Sequence, residues 1–311
     1  MRKILLTAAA AFIGVSAFSQ QDPQYSHYMF DRLSINPGYT GIDNKICITG
    51  IFREQWAGFA GQPQTFLLNV HGPVKMLRGG VGLSYYNDQL GFFKHNVARF
   101  SYAYHLGLGG NGMLGMGVSG GIISSSLNPT WVAIDPVASD GAIPDNSISQ
   151  TTYDLGFGLY FKTDELYVGL SSTHLTESDL NTLNVKNTRH YFLLAGYDFT
   201  INPQLKLRPS TRVESDGTST QVDLNVNALY SFSDKNGVWG GVGYRIKDAV
   251  VPMFGYQQVM GPGMLKIGFS YDVTTSEIKN YSSGSIEGMV NYCFTVDKPV
   301  VIQKSKNPRF L

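Results

Sequence analysis

An alternation of apolar and polar residues recurs along the chain and is clearest in the eleven residues VDLNVNALYSF, 222–232. The apolar side chains occupy every second position: Val222, Leu224, Val226, Ala228, Tyr230 and Phe232. Only Leu229 breaks the pattern. A period of two places the two sets on opposite faces of a β-strand, whereas a helix would scatter both around its axis. The segment is therefore predicted to be a strand with one apolar and one polar face.

The same pattern recurs in about fourteen segments, each near the roughly ten-residue length of a membrane-spanning strand. They cover approximately residues 45–54, 64–73, 79–87, 92–106, 113–126, 150–161, 165–173, 188–199, 205–215, 218–232, 237–246, 249–258, 263–274 and 284–296. The long connections all follow odd-numbered segments: 55–63, 127–149, 174–187 and 275–283. A transmembrane barrel has short turns at one rim and long loops at the other, whereas a soluble sandwich has no reason to sort its loops by parity. We predict an all-β fold, a transmembrane antiparallel up-and-down β-barrel.

Composition and the start of the chain agree with an exported membrane protein. Of the 311 residues, 15% are charged, against about a quarter in ordinary soluble proteins. The basic start, the apolar run to Phe18 and the small residues Ala17 and Ser19 predict a signal peptide over residues 1–19. No later stretch approaches the ~18 consecutive apolar residues of a membrane helix. The net charge of +1 gives no basic surface for nucleic acid.

Residues 20–44 do not alternate and are predicted to form either a plug inside the barrel or a periplasmic cap. A ring of about fourteen strands is too wide for its own side chains to fill, and this segment is tethered to the first strand. The candidate plug residues are Tyr25, Tyr28, Met29, Phe30 and Leu33. The barrel is expected over 45–296 and a periplasmic tail over 297–311, with both termini at the periplasmic side.

Patterns associated with catalysis lack the context that they need. Residues 107–112 match GxGxxG, but an alternating strand follows where a dinucleotide site requires a helix. Ser119 lies in a GxSxG string that also lacks the strand-to-helix corner of a hydrolase. The six histidines show no metal-ligand spacing. We therefore predict no enzyme, cofactor or metal site, and keep a barrel hydrolase using Ser119 as a minor alternative.

The two cysteines lie on the first and last predicted strands, Cys47 and Cys293. Closing the barrel makes these strands neighbours and places both cysteines near the same rim, facing inward. An oxidising compartment allows a disulfide, but strand geometry often does not favour one. We expect the two residues to be close across the seam without a bond.

Several strings resemble those of a known family. Residues 21–30 read QDPQYSHYMF and residues 35–41 read INPGYTG, with REQW at 53–56, GQP at 61–63 and NPRF at 307–310. They resemble the PorP/SprF family of type IX secretion outer-membrane proteins. The resemblance implies a non-enzymatic barrel in the outer membrane of a Gram-negative bacterium, required for secretion or surface display. Its implied partners are secreted surface proteins, such as gliding adhesins with a C-terminal export domain, and other type IX secretion components.

Two functional hypotheses remain. In the first, the barrel binds or anchors an exported protein, and the loop 127–149 is a contact surface through Trp131, Pro136 and Pro144. In the second, it is a passive channel or a transporter of lipophilic substrates. The charges expected in the lumen are of both signs: Arg99, Lys206, Arg208, Arg212, Lys266, Asp154, Glu214, Asp223, Asp272 and Glu287.

Overall fold

A computed structural model describes residues 22–58, 60–128, 147–183 and 185–295. The predicted signal peptide and C-terminal tail lie outside this part of the chain. The first seven barrel strands are β1 (Ile46–Glu54), β2 (Gln64–Val74), β3 (Gly79–Leu90), β4 (Phe93–Gly107), β5 (Met113–Leu127), β6 (Ile148–Lys162) and β7 (Leu166–Thr173). The others are β8 (His190–Tyr197, extended by Phe199–Thr200), β9 (Leu205–Ser215), β10 (Thr220–Ser231), β11 (Asn236–Arg245), β12 (Ala249–Met260), β13 (Gly263–Thr274) and β14 (Ser285–Phe294).

These strands close into one antiparallel ring. Each pairs with its neighbours in the chain, and β1 pairs with β14 from Ile46 opposite Phe294 to Glu54 opposite Ile286. Closure pairs the backbone groups at every strand edge, which a lipid environment requires because it offers no water. The predicted barrel of fourteen strands is confirmed.

The two faces of the wall are inverted relative to a soluble protein. Leu224 and Val226 of β10 face outward and are 46% and 47% exposed, whereas Asp223 and Asn225 face inward and are 5% and 3% exposed. A soluble sandwich would bury the apolar set. Leu229, which breaks the alternation, is buried opposite Trp239 of β11. The outer surface is thus apolar, as contact with lipid requires.

The connections differ between the two ends of the barrel. One end, the long-loop rim, carries the connections that follow odd-numbered strands, including 55–63, 174–189 and 275–284. The connection 174–189 contains a two-residue ladder between Asp179–Leu180 and Val185–Lys186. The other end, the short-turn rim, carries turns such as 163–165 and 261–262.

Helical structure in the described residues is short. It includes 3₁₀ helices at Pro37–Tyr39, Lys75–Leu77 and Glu277–Asn280. No described helix has the length and apolar character needed to cross a membrane.

Candidate functional site

Residues 22–44 lie inside the barrel and extend along its lumen from one rim to the other; we call this segment the plug. At the long-loop rim, Asp22 Oδ1 is 2.9 Å from His174 Nε2. At the short-turn rim, Asp43 forms an ion pair with Lys162, the last residue of β6. Of the candidate plug residues, four are buried and Phe30 is partly buried: Tyr25, Tyr28, Met29, Phe30 and Leu33.

Asp22, the first described residue, lies at the long-loop rim, where its carboxylate pairs with His174. The two termini, expected at the periplasmic side, lie outside the described residues. The last described strand ends at Phe294, at the short-turn rim.

Arg53, on the inner face of β1, lies in a buried ion-pair cluster. Its guanidinium is 2.6 Å from the carboxylate of Asp272 and 3.1 Å from that of Glu287. Arg245 contacts Asp272 at 2.9 Å. The four side chains are at most 3% exposed. Charges at this depth are tolerated only when they are paired and hydrogen-bonded.

The plug completes this cluster. The backbone N–H groups of Ser26 and His27 each donate to an oxygen of Glu287 at 2.8 Å, and His27 Nδ1 is 2.7 Å from Glu287 Oε1. Ser26 Oγ donates to Asp272 at 2.9 Å and accepts from Arg53 at 3.1 Å. Hydrogen bonds to charged groups contribute about 1.5–3 kcal/mol each to stability. The cluster therefore holds the first part of the plug in place.

The middle of the plug approaches the bare backbone of the wall. Asn36 Nδ2 donates to the main-chain carbonyls of Leu159 at 3.0 Å and Leu170 at 3.1 Å. A Cβ atom on Gly158 would lie 2.1 Å from Asn36 Oδ1, and one on Gly117 would lie 2.3 Å from the carbonyl of Pro37. Glycine at these two wall positions is what permits the contact.

A cavity of about 570 Å³ lies at the short-turn rim and is bounded on one side by the plug. Its lining includes six cationic residues: Arg32, Lys45, Lys162, Lys206, Arg208 and Lys266. Three acidic residues also line it: Asp43, Asp198 and Asp234. Two of these carboxylates are already paired, Asp43 with Lys162 and Asp198 with Arg208. The cavity is therefore electropositive and favours anionic groups.

The environment shifts two pKa values at the ends of the plug. Burial by itself would raise the pKa of Asp43, but Lys162 and Arg32 hold it well below the usual range. The ion pair of Asp43 therefore stabilises the fold at pH values above the pKa that this carboxyl has in the unfolded chain. The stabilisation is lost as the pH falls toward the lower pKa of the folded protein. Burial opposes the charge on His174, but the carboxylates of Asp22 and Asp154 outweigh it and raise the pKa of His174 to about 9.

The seam between β1 and β14 carries a disulfide. Cys47 and Cys293 lie opposite each other in register, with Cα atoms 4.1 Å apart, and are bonded. Both also line the electropositive cavity, so they face inward. The predicted proximity of the two cysteines is confirmed. The expectation that they do not bond was wrong, because direct opposition in the strand register brings the two thiols within bonding distance.

We predict that reducing this disulfide destabilises the barrel. The bond joins residues that are 246 apart in the chain, and its loss should cost about 2–4 kcal/mol because the unfolded chain gains freedom. Urea unfolding in detergent with and without reductant measures the effect. A Cys47→Ser/Cys293→Ser variant should not respond to reductant, and an unchanged midpoint for the reduced wild type would contradict the prediction.

The remaining sequence predictions divide into three groups. All ten predicted lumen charges lie inside the barrel, either buried or lining the cavity. The GxGxxG string contains the turn between β4 and β5, and Ser119 lies in the middle of β5 rather than at a strand-to-helix corner. The predicted contact residues Trp131, Pro136 and Pro144 lie outside the described residues.

Sequence reasoning missed the polar residues that fix the plug, Asp22, Ser26 and His27. All three lie in the QDPQYSHYMF string, which was available as a signal. The residues named from the sequence were the apolar members of the segment. In the structure, the polar members instead meet inward-facing charges of the wall.

The family of the chain follows from a family model described as "Type IX secretion system membrane protein PorP/SprF", which matches residues 17–292. The chain belongs to the PorP/SprF family. In this member of the PorP/SprF family, plug–wall contacts are made by residues of the QDPQYSHYMF and INPGYTG strings and by Arg53 of REQW. The NPRF string lies outside the described residues. No curated protein matches the sequence.

Solved structures with the same fold are distant in sequence. The "CymD monoaromatic hydrocarbon channel" is 12% identical with a TM-score of 0.55, and the comparison covers 86% of this chain and 93% of that one. The Pseudomonas putida toluene transporter TodX is 10% identical with a TM-score of 0.52, covering 89% and 96%. These likenesses establish the barrel fold alone.

Proposed function

We propose that this PorP/SprF protein is a non-enzymatic barrel of the type IX secretion machinery that binds an exported surface protein and holds it at the outer membrane. The observation that supports this proposal is the plug, which extends through the lumen and is fixed to the wall by the Arg53 cluster and by Asn36. A barrel filled in this way is suited to act as a scaffold, and its rims are the surfaces left for a partner.

The long-loop rim is the proposed contact surface. In barrels of the outer membrane the longer loops face the exterior and the short turns face the periplasm. By that rule the connections 55–63, 174–189 and 275–284 are exposed at the cell surface, together with the predicted contact loop 127–149. Loops on a rigid wall are common sites of binding because they change without disturbing the fold.

Replacing residues 129–146 by a short Gly-Ser linker tests this surface. We expect the amount of partner protein that copurifies with the barrel, identified by mass spectrometry, to fall at least about tenfold. This decrease corresponds to about 1.4 kcal/mol of binding free energy. The barrel itself should still assemble, as judged by its heat-modifiable migration in gels. The matched control replaces the short turn 232–235 at the other rim. Undiminished copurification after the loop replacement would exclude this loop as the contact surface.

A second candidate function is a channel for lipophilic molecules. It is motivated by the fold, which this chain has in common with barrels described as a hydrocarbon channel and a toluene transporter. Conductance and aromatic-hydrocarbon uptake by purified protein in vesicles distinguish the two functions. We expect the wild type to show no conductance and no hydrocarbon uptake. A stable open pore or saturable uptake would favour the channel function.

A further inference from the structure

Three side chains that are distant in the sequence converge at the long-loop rim. Asp22 comes from the plug, His174 follows β7, and His190 begins β8. One ligand atom from each, a carboxylate oxygen and two imidazole nitrogens, lies within 4.8 Å of the others. The closest pair is Asp22 Oδ1 and His174 Nε2, at 2.9 Å. Two imidazoles and a carboxylate are a common ligand set for transition metals in proteins.

In both imidazoles, Nδ1 already lies within hydrogen-bonding distance of an oxygen atom. His190 Nδ1 is 2.9 Å from the main-chain oxygen of Thr188 and therefore carries the proton, since a carbonyl can only accept. His174 Nδ1 is 3.1 Å from Asp154 Oδ1. Metal-ligating histidines characteristically donate this second N–H to a carbonyl or a carboxylate, which orients the ring and leaves Nε2 for the metal.

Buried polar atoms without hydrogen-bond partners lie beside the cluster. His190 Nε2 has no hydrogen-bond partner among the described residues, and neither carboxylate oxygen of Glu214 has one. The two side chains are 1% and 4% exposed, with His190 Nε2 4.0 Å from Glu214 Oε1. Arg212 approaches Glu214 only at 3.7 Å. Leaving such buried atoms unsatisfied is unfavourable, and a cation between them would satisfy both.

We propose that Asp22, His174 and His190 bind a divalent transition-metal ion of the Zn²⁺ type, with Glu214 as the fourth ligand. The metal joins the Asp22 end of the plug to the wall of the barrel. One ligand comes from the plug, and the others come from β8 and β9 and from the residue that follows β7.

The spacing and charge of the cluster are compatible with this metal. Ligand atoms of a tetrahedral zinc site are about 3.4 Å apart, given bonds of about 2.0–2.1 Å. Those of Asp22, His174 and His190 lie within 4.8 Å of one another, and Glu214 Oε1 lies 4.0 Å from His190 Nε2. Nitrogen ligands favour Zn²⁺ over Mg²⁺ or Ca²⁺, which prefer oxygen. Arg99 Nη2 lies 3.4 Å from His174 Nε2, but its charge is balanced by Asp154 at 2.7 Å.

Titration of untagged, chelator-treated protein with Co²⁺ and Zn²⁺ tests the proposal. We expect one equivalent of Co²⁺ to give the visible absorption of a four-coordinate site, and Zn²⁺ to displace it stoichiometrically. Loss of an outer-shell partner typically weakens metal binding about 10–100-fold, so His190→Ala and Asp22→Asn, which remove ligands, should each weaken it by at least that much. The matched control is His105→Ala, which removes a lumen-facing histidine that contacts Thr40 O toward the short-turn rim.

Two results would overturn the proposal. If the wild type binds no Co²⁺ or Zn²⁺ at micromolar concentrations, His174 is instead a protonated imidazole between Asp22 and Asp154. If His190→Ala binds as tightly as the wild type while it still forms the heat-modifiable barrel, the metal binds elsewhere.

Discussion

Gly158→Val is expected to expel the plug and turn a silent barrel into a conducting one. The new Cβ would lie 2.1 Å from Asn36 Oδ1 and 2.9 Å from Pro37 Cδ, closer than non-bonded atoms approach. Either the wall or the plug must move, and the wall is held by its strand ladder with β5 and β7. Asn36 then loses its hydrogen bonds to Leu159 and Leu170.

Single-channel recording in planar bilayers measures the effect. Wild type should show no resolvable conductance, and Gly158→Val should show stable openings, with the overpacking also costing about 1–3 kcal/mol of stability. The control is Gly288→Val, because a Cβ at Gly288 has no neighbour within 4 Å. It adds the same side chain to a barrel strand without touching the plug. A Gly158→Val variant as silent as the wild type would show that this contact does not hold the plug.

Arg53→Met should be the most destabilising single substitution in the wall. It leaves Glu287 without its guanidinium partner and Asp272 with Arg245 alone, at sites that are at most 1% exposed. Leaving a buried charge unpaired costs about 3–5 kcal/mol. The free energy of unfolding in urea, measured in lipid vesicles, should fall by that amount.

An exposed ion pair serves as a control that separates the effect of burial on stability from the effect of removing a charge. Arg189 pairs with Glu177 at 3.4 Å, but the two side chains are 36% and 42% exposed. Arg189→Met should therefore change the unfolding free energy by less than about 1 kcal/mol. In a double-mutant cycle, Arg53→Met/Glu287→Met should cost less than the sum of its single variants, because both charges leave together. Additive losses would argue against a coupled buried pair.

The residues that form the barrel could be predicted because strand geometry is local. Side chains at i and i+2 point to the same side of a strand, so the alternation of Leu224 and Val226 with Asp223 and Asn225 already separates the lipid face from the lumen face. The parity of connection lengths likewise assigns the two rims. The proximity of Cys47 and Cys293 also follows from closing the ring, although alternation sets no register that would decide whether the two residues bond.

The contacts inside the lumen were determined only by the tertiary structure. Glu287 meets Ser26 and His27 across about 260 residues of chain, and His174 meets Asp22 across 152. Alternation assigns each of these wall residues to the inner face, but not its height or the plug residue opposite it. Both depend on the stagger of the closed ring and on the path of the plug through it. Sequence therefore determined which side chains face inward, and the closed barrel determined which of them meet.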